Sequence, residues 1–168
     1  MVLIIVGSAP CAIEDILNFS TLGNDECDFM AVGMDAFKSP VPWKYVASGH
    51  TEDLSSIKAY AGLRKQKGYE LIHYQPLKGV DIVVPLDMWE GGSSALMGVM
   101  AALKLGYNKI VLCGVPLEGP NPGHPGADYS MFQGKWTESV SVLCHYVRSM
   151  SGFTKGLLGE PTKEWLND

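Results

Sequence analysis

The sequence predicts an α/β protein, a three-layer sandwich around a mostly parallel sheet, in a single domain. Three observations carry this. Residues 2–6, Val-Leu-Ile-Ile-Val, are apolar without alternation, as in a strand covered on both faces. The run stops at Gly7, passes through Ser8, Ala9 and Pro10, and gives way to a helix-like stretch. Strand-like and helix-like segments then alternate almost to the end, the pattern of a parallel sheet with helices on both faces. The expected architecture is Rossmann-like.

The first helix covers roughly residues 11–18, with Pro10 near its first position, where proline is tolerated. Residues 19–28 hold Ser20, Gly23, Asn24 and Asp25 and read as a loop. A second strand spans 29–32 and ends at Gly33-Met-Asp35. A third spans 43–47 and ends at Ser48-Gly-His50. Thr51 is a good N-cap, and Glu52 and Asp53 follow it in the first turn, where negative charge is favoured. The helix they open runs to about Lys67, with Gly68 as its stop. Residues 70–74 and 80–84 read as the next strands. From Ser93 or Ser94 a helix runs to Leu105, and residues 109–113 form another buried strand ending at Gly114. Residues 115–135 are rich in Gly and Pro, and a connection of this length is usually a lid or binding loop. A helix over 136–149 follows. The domain is expected to span 1–150, with 151–168 as a C-terminal tail bearing one short helical turn.

The chain has 168 residues, 46% hydrophobic and 18% charged, ample for a core and neither disordered nor membrane-like. Its net charge of −5 argues against nucleic acid as a partner, because neutralising phosphates needs clustered Lys and Arg. None of Cys11, Cys27, Cys113 and Cys144 forms a C-x-x-C pair, and no His/Cys/Asp spacing matches a metal site. No tightly held metal is expected. Cys11 sits at a helix start, a position that lowers a thiol pKa. No run approaches the ~20 apolar residues of a membrane helix, and residues 1–6 lack the basic start of a secretory leader. The expected location is cytoplasmic, with no membrane partner and with room for a homo-oligomer.

Parallel strands all end on one edge, so residues distant in sequence gather along a single rim. Gly7, Ser8, Ala9 and Pro10, then Asp35, Ser48, Gly49 and His50, then Gly114, stand at strand ends. The helix after Gly91-Gly-Ser-Ser94 brings its N-terminus there too. Small residues let a ligand approach the backbone, and a helix N-terminus favours an anion. The turn after the first strand carries one glycine and no lysine, so it matches neither the dinucleotide fingerprint nor the P-loop. Ser93 and Ser94 fit two uses that can hold together, an N-cap and a donor to phosphate or carboxylate. Asp35 is either an acceptor for a ribose, as in dinucleotide folds, or an exposed loop acid. His50 and His124 are the candidate acid–base residues, because histidine titrates near neutrality. His124, Asp128 and Tyr129 belong to the long loop, which could close over a ligand. Trp43, Trp89 and Trp136 flank loops, where aromatics either stack on a base or pack in the core.

Two stretches look familiar: the first strand with its Gly-Ser-Ala-Pro turn, and residues 93–114, a Ser-Ser start, a helix ending in Leu-Gly-Tyr, and a strand ending in Gly. Together they resemble a Rossmann-like group that contains the Campylobacter-type sialyltransferases and the archaeal hydroxymethylpterin diphosphokinase-like proteins. The segment 147–166 also looks like a set of small prophage proteins. The resemblance implies a nucleotide or nucleotide-sugar held by Gly7, Ser8, Ala9 and Pro10, with Ser93 and Ser94 on the phosphate or sugar side. Those sialyltransferases have an Asn after the second strand, where this chain has Gly33 or Met34. They have an acid soon after the later Gly, where Pro116 stands. The expected function is that of a phage-derived protein binding a small-molecule nucleotide, with glycosyl or phosphoryl transfer as its chemistry. The alternative is a non-catalytic phage accessory or assembly module with a degenerate nucleotide site.

Overall fold

The structure is a computed structural model that describes residues 1–23, 26–119 and 128–168. Its strands are β1 (Val2–Val6), β2 (Cys27–Val32), β3 (Tyr45–Ala47), β4 (Glu70–His73), β5 (Ile82–Val83), β6 (Lys109–Cys113) and β7 (Val147–Ser149). They form one sheet in the order β5-β4-β3-β2-β1-β6-β7, and every pairing is parallel. The helices are α1 (Ala12–Ser20), α2 (Gly33–Phe37), α3 (Asp53–Arg64), α4 (Ser94–Lys104), α5 (Gln133–Leu143), α6 (Gly152–Leu158) and α7 (Lys163–Asn167). This is the Rossmann-like α/β arrangement expected from the alternation of segments.

The unbroken apolar run of β1 follows from its place. Leu3 and Ile5 point into one layer with Leu96, Trp136, Leu143 and Leu158 of α4, α5 and α6. Val2, Ile4 and Val6 point into the other, with Phe19, Phe37, Ile57 and Trp165 of α1, α2, α3 and α7. Both faces of β1 are therefore sealed, and each such side chain contributes about 1.5–3 kcal/mol by leaving water. β1 pairs with β2 on one side and β6 on the other. Strand order reverses there, which is where open α/β sheets bind their ligands.

Several elements differ from expectation, among them β3, which starts at Tyr45, and β5, which shrinks to Ile82–Val83. The helix expected over 136–149 stops at Leu143, and residues 147–149 form β7. Val140, Leu143 and Val147 share a helical spacing, but Val147 instead pairs with Ile110 and completes the edge beside β6. α3 ends at Lys65, which takes the left-handed conformation at φ 53°. Gln66 N–H then closes on Ala61 O at 2.9 Å, so the turn is made before Gly68 is reached. Thr51 is not the cap, since Glu52 holds that position without a side-chain bond. Residues 33–37 coil into α2.

Residues 151–168, expected as a tail with one short helical turn, instead form two helices, α6 and α7, whose Leu158 and Trp165 enter the two core layers. Trp165 lies between two cations, Lys109 Nζ at 4.7 Å and Arg148 at 4.9 Å from its ring, and Lys109 also donates to its carbonyl.

His73, on β4, is fully buried. Its Nδ1 accepts from Gln75 N–H at 3.0 Å, while Nε2 has no partner among the described residues. Burial holds its pKa below the ordinary histidine value. The unfolded chain therefore binds more protons than the folded one below about pH 6.5. Stability is expected to fall as pH drops through that region, and His73→Gln should flatten this part of the profile. Urea midpoints between pH 7.5 and pH 5 measure it.

Candidate functional site

The carboxyl rim is built around a contact between the ends of β1 and β6. Gly7 N–H donates to Cys113 O at 2.8 Å, and Ala9 N–H to Gly114 O at 3.3 Å. A Cβ on Gly7 would sit 2.2 Å from Gly114 O, so only glycine permits this approach. Gly114 turns with φ +67°, and a Cβ there would meet that of Ala12 at 2.5 Å. Asp15 locks the arrangement from beneath. Its carboxylate is buried and one oxygen accepts both Gly114 N–H at 2.8 Å and Ser151 Oγ at 2.7 Å. α1, the end of β6 and the start of α6 are thereby tied together.

Above this lock lies a cleft of about 770 Å³, within the ordinary range for small-molecule sites. The turn Gly7-Ser-Ala-Pro10 and Gly114 line one side, and Gly92, Ser93, Ser94 and Ala95 line another. α4 begins here, and the first-turn N–H groups of a helix have no partners within it. Ser93 occupies the N-cap position but makes no side-chain cap bond. Its Oγ is buried and has no hydrogen-bond partner among the described residues, as is true of Trp89 Nε1. Ser94 Oγ accepts Gly49 N–H at 3.2 Å. Gly49 lets Trp89 close in, since a Cβ would meet the indole at 3.0 Å. Trp89 packs edge-on against Tyr74, with centroids 6.0 Å apart. Tyr129 and Phe132, 5.9 Å apart, supply a further aromatic wall.

Gly7, Ser8, Ala9, Pro10, Asp35, Gly49, His50, Ser93, Ser94 and Gly114 all line this one cleft. Ser48 does not. It is fully buried, donating to Asp53 at 2.8 Å and accepting from His50 N–H at 3.1 Å, so it shapes the turn instead of facing a ligand. Asp35 is exposed and paired with Lys38 at 2.6 Å. His50 is also exposed, its Nδ1 3.6 Å from Glu52 Oε1. His124 lies outside the described residues. Trp43 and Trp136 are core residues, and of the three flagged tryptophans only Trp89 lines the cleft. Burial raises the Cys11 thiol pKa, so the helix start does not activate it. Among the described residues no three His, Cys, Asp or Glu side chains gather as a metal-binding set. Asp15 escaped sequence reasoning, although one signal was present: with Ala12 and Phe19 it falls on the buried face of α1, an unusual place for an acid.

Fold and cleft together define a Rossmann-like α/β protein with a ligand-sized site at the switch point of its sheet. No family model and no curated protein matches the chain. Solved structures do. The sialyltransferase CstII in complex with a trisaccharide acceptor and CMP is similar over 97% of this chain and 87% of its own, at 10% identity and a TM-score of 0.66. The Campylobacter jejuni CstII in complex with the substrate analogue cytidine-5'-monophosphate is similar over 96% of this chain and 85% of its own, at 11% identity and a TM-score of 0.65. The fold is that of these sialyltransferases.

Proposed function

We propose that the chain binds a nucleotide or nucleotide-sugar in the rim cleft and transfers its glycosyl group to an acceptor. One observation carries the reading: Ser93 and Trp89 line the cleft, and Ser93 Oγ and Trp89 Nε1 are buried with no acceptor among the described residues. Buried donors are ordinarily satisfied, and a ligand phosphate, carbonyl or sugar oxygen would satisfy these. The fold shared with CMP-bound sialyltransferases supports a cytidine nucleotide as the first to try.

In such a transfer the bond from the anomeric carbon to the phosphate oxygen breaks, and a bond to an acceptor oxygen forms. Negative charge grows on the leaving phosphate. Fixed donors on the floor stabilise that charge without reorganising. His50, next to Glu52, is the base that takes the acceptor's proton. His50→Ala is expected to lower kcat by a factor of roughly 10²–10⁴ while leaving nucleotide affinity within about twofold. Single-turnover rates and calorimetry separate the two.

A binding role without turnover is the second reading, favoured by the exposure of His50, whose ring is near Glu52 at 3.6 Å while its backbone is what the turn holds. Phosphoryl transfer is a third chemistry that the same floor would serve. We place the protein in the cytoplasm and propose a phage origin for it. Cys11, Cys113 and Cys144 are joined in no disulfide among the described residues, which suits a reducing compartment, and no described helix is long and apolar enough to cross a membrane.

The test is a thermal-shift panel of CMP, UDP, GDP, ATP and their sugar conjugates, since a ligand of the folded state raises Tm by mass action. A rise with a cytidine nucleotide supports the reading. No rise with any of them at several millimolar removes it.

A further inference from the structure

Between β5 and α4 the chain leaves the sheet over residues 85–92, and little holds this excursion down. From Pro85 to Gly91 every residue is exposed except Trp89. The segment holds one 3₁₀ turn, Leu86–Met88. Its backbone bonds are its own. Met88 N–H donates to Pro85 O at 3.2 Å, Trp89 N–H and Glu90 N–H to Leu86 O at 3.0 and 2.7 Å, and Gly92 N–H to Trp89 O at 2.8 Å. Among the described residues no hydrogen bond joins 85–91 to the rest of the molecule. The anchor is the Trp89 ring, 8% exposed, which sits against Tyr74 and the bare backbone of Gly49. On one flank Val84 is fully buried, its N–H closing on His73 O at 3.0 Å. On the other, Gly91 turns at φ +78° with nothing within 4 Å of a Cβ.

The anchor is itself under-satisfied. Four buried side-chain polar atoms have no hydrogen-bond partner among the described residues, and three of them, His73 Nε2, Trp89 Nε1 and Ser93 Oγ, lie along this wall. His73 stacks on Tyr74 at 4.4 Å, Tyr74 meets Trp89, and Ser93 follows the Gly92 N–H that closes on Trp89 O. A buried donor without an acceptor carries its whole desolvation penalty. The shut arrangement is therefore penalised at the residue that keeps it shut. Opening gives the indole N–H to water. A ligand oxygen supplies the same bond with the segment closed, since Trp89 and Ser93 both line the cleft.

We infer, on the reading that a ligand oxygen reaches this wall, that residues 85–92 are a flap beside the cleft that opens independently of the rest of the fold. Trp89 is the specificity-determining residue that shuts it on a ligand. Segments with few buried contacts and self-contained hydrogen bonds open at a fraction of the global cost. A single turn does not persist once its anchor leaves, so opening exposes its amides to exchange. A ligand with an oxygen acceptor closes the flap by binding the shut form better. One that fills the cleft without such an oxygen leaves the flap as it was.

The test is hydrogen exchange of the full chain by NMR, read at the Trp89 indole N–H and the amides of residues 88–90 and 92, with CMP and inorganic phosphate as separate probes. In the free protein these protons are expected to exchange about a hundredfold faster than the amides of residues 99–103 within α4. Either probe at ten times its Kd should slow them about tenfold. Trp89→Ala should bring the flap amides to unprotected rates and abolish the slowing, while protected α4 amides show that the fold survives. Gly49→Ala, whose methyl would stand 3.0 Å from the indole, should speed flap exchange with the Trp89 donor intact. If Trp89→Ala unfolds α4 as well, Gly49→Ala decides, and unchanged flap exchange there overturns the inference. So do flap protons that exchange in step with α4, flap protection that survives Trp89→Ala, or rates that neither probe slows. The nucleotide reading fails separately, when CMP shifts no resonance of Gly7, Ser94 or Gly114, and a flap that phosphate still slows outlives it.

Discussion

Gly7→Ala is expected to lower stability by about 3 kcal/mol and to abolish nucleotide binding. The added carbon would stand 2.2 Å from Gly114 O and 2.9 Å from Val115 Cγ2. Neither neighbour can swing away. The first is backbone, held by Asp15 through Gly114 N–H, and the second is in the core. The ends of β1 and β6 would have to separate, which moves the floor of the cleft. For a chain of this size such a loss corresponds to a fall in Tm of roughly 6–12 °C. Gly62→Ala is the contrasting case. It lies inside α3 with nothing within 4 Å of a new Cβ, so alanine should stabilise by about 0.5–1 kcal/mol. Thermal melts of the two variants beside the parent measure both effects.

Ser93→Ala should part stability from binding. A serine at an N-cap ordinarily accepts a backbone N–H, and its loss costs about 1 kcal/mol. Here that bond is not made, and the hydroxyl is buried with no partner among the described residues. Removing it relieves an unsatisfied group, so the free protein is expected to be unchanged or more stable by up to about 1 kcal/mol. The ligand loses a donor in a dry site, and nucleotide affinity should fall by roughly ten- to a hundredfold. A residue kept for folding would show the reverse pattern. Urea unfolding and calorimetry with CMP, run on the same preparation, give both readouts.

Much of this could be read in the chain. β1 and β6 announce themselves because both faces are covered, so their runs are apolar without alternation. α4 is legible for a similar reason, with a glycine turn, serines at its start and Gly106 after its end. The rim residues follow from topology alone: once the strands are parallel, Gly7, Gly49, Ser93 and Gly114 must meet. What escaped has a common cause, dependence on contacts distant in sequence. β7 is three residues long and its Val147 falls in step with a helix, so only the open edge of β6 makes it a strand. Ser48 looked like a rim donor because it follows β3, but its own turn folds the hydroxyl inward. Asp15 gains its role from Gly114 and Ser151, 99 and 136 residues away. Trp89 could be flagged as an aromatic near a loop. That it, and not Trp43 or Trp136, reaches the cleft depends on the bare backbone of Gly49.

Residue-resolved titration with CMP is the most direct measurement. Amide shifts that saturate and concentrate on Gly7, Ser8, Ala9, Gly49, Ser93, Ser94 and Gly114, together with the indole N–H of Trp89, are what a phosphate seated between β1 and α4 would produce. Resonances that stay still at millimolar CMP, or that move instead around α5 and α7, would contradict it.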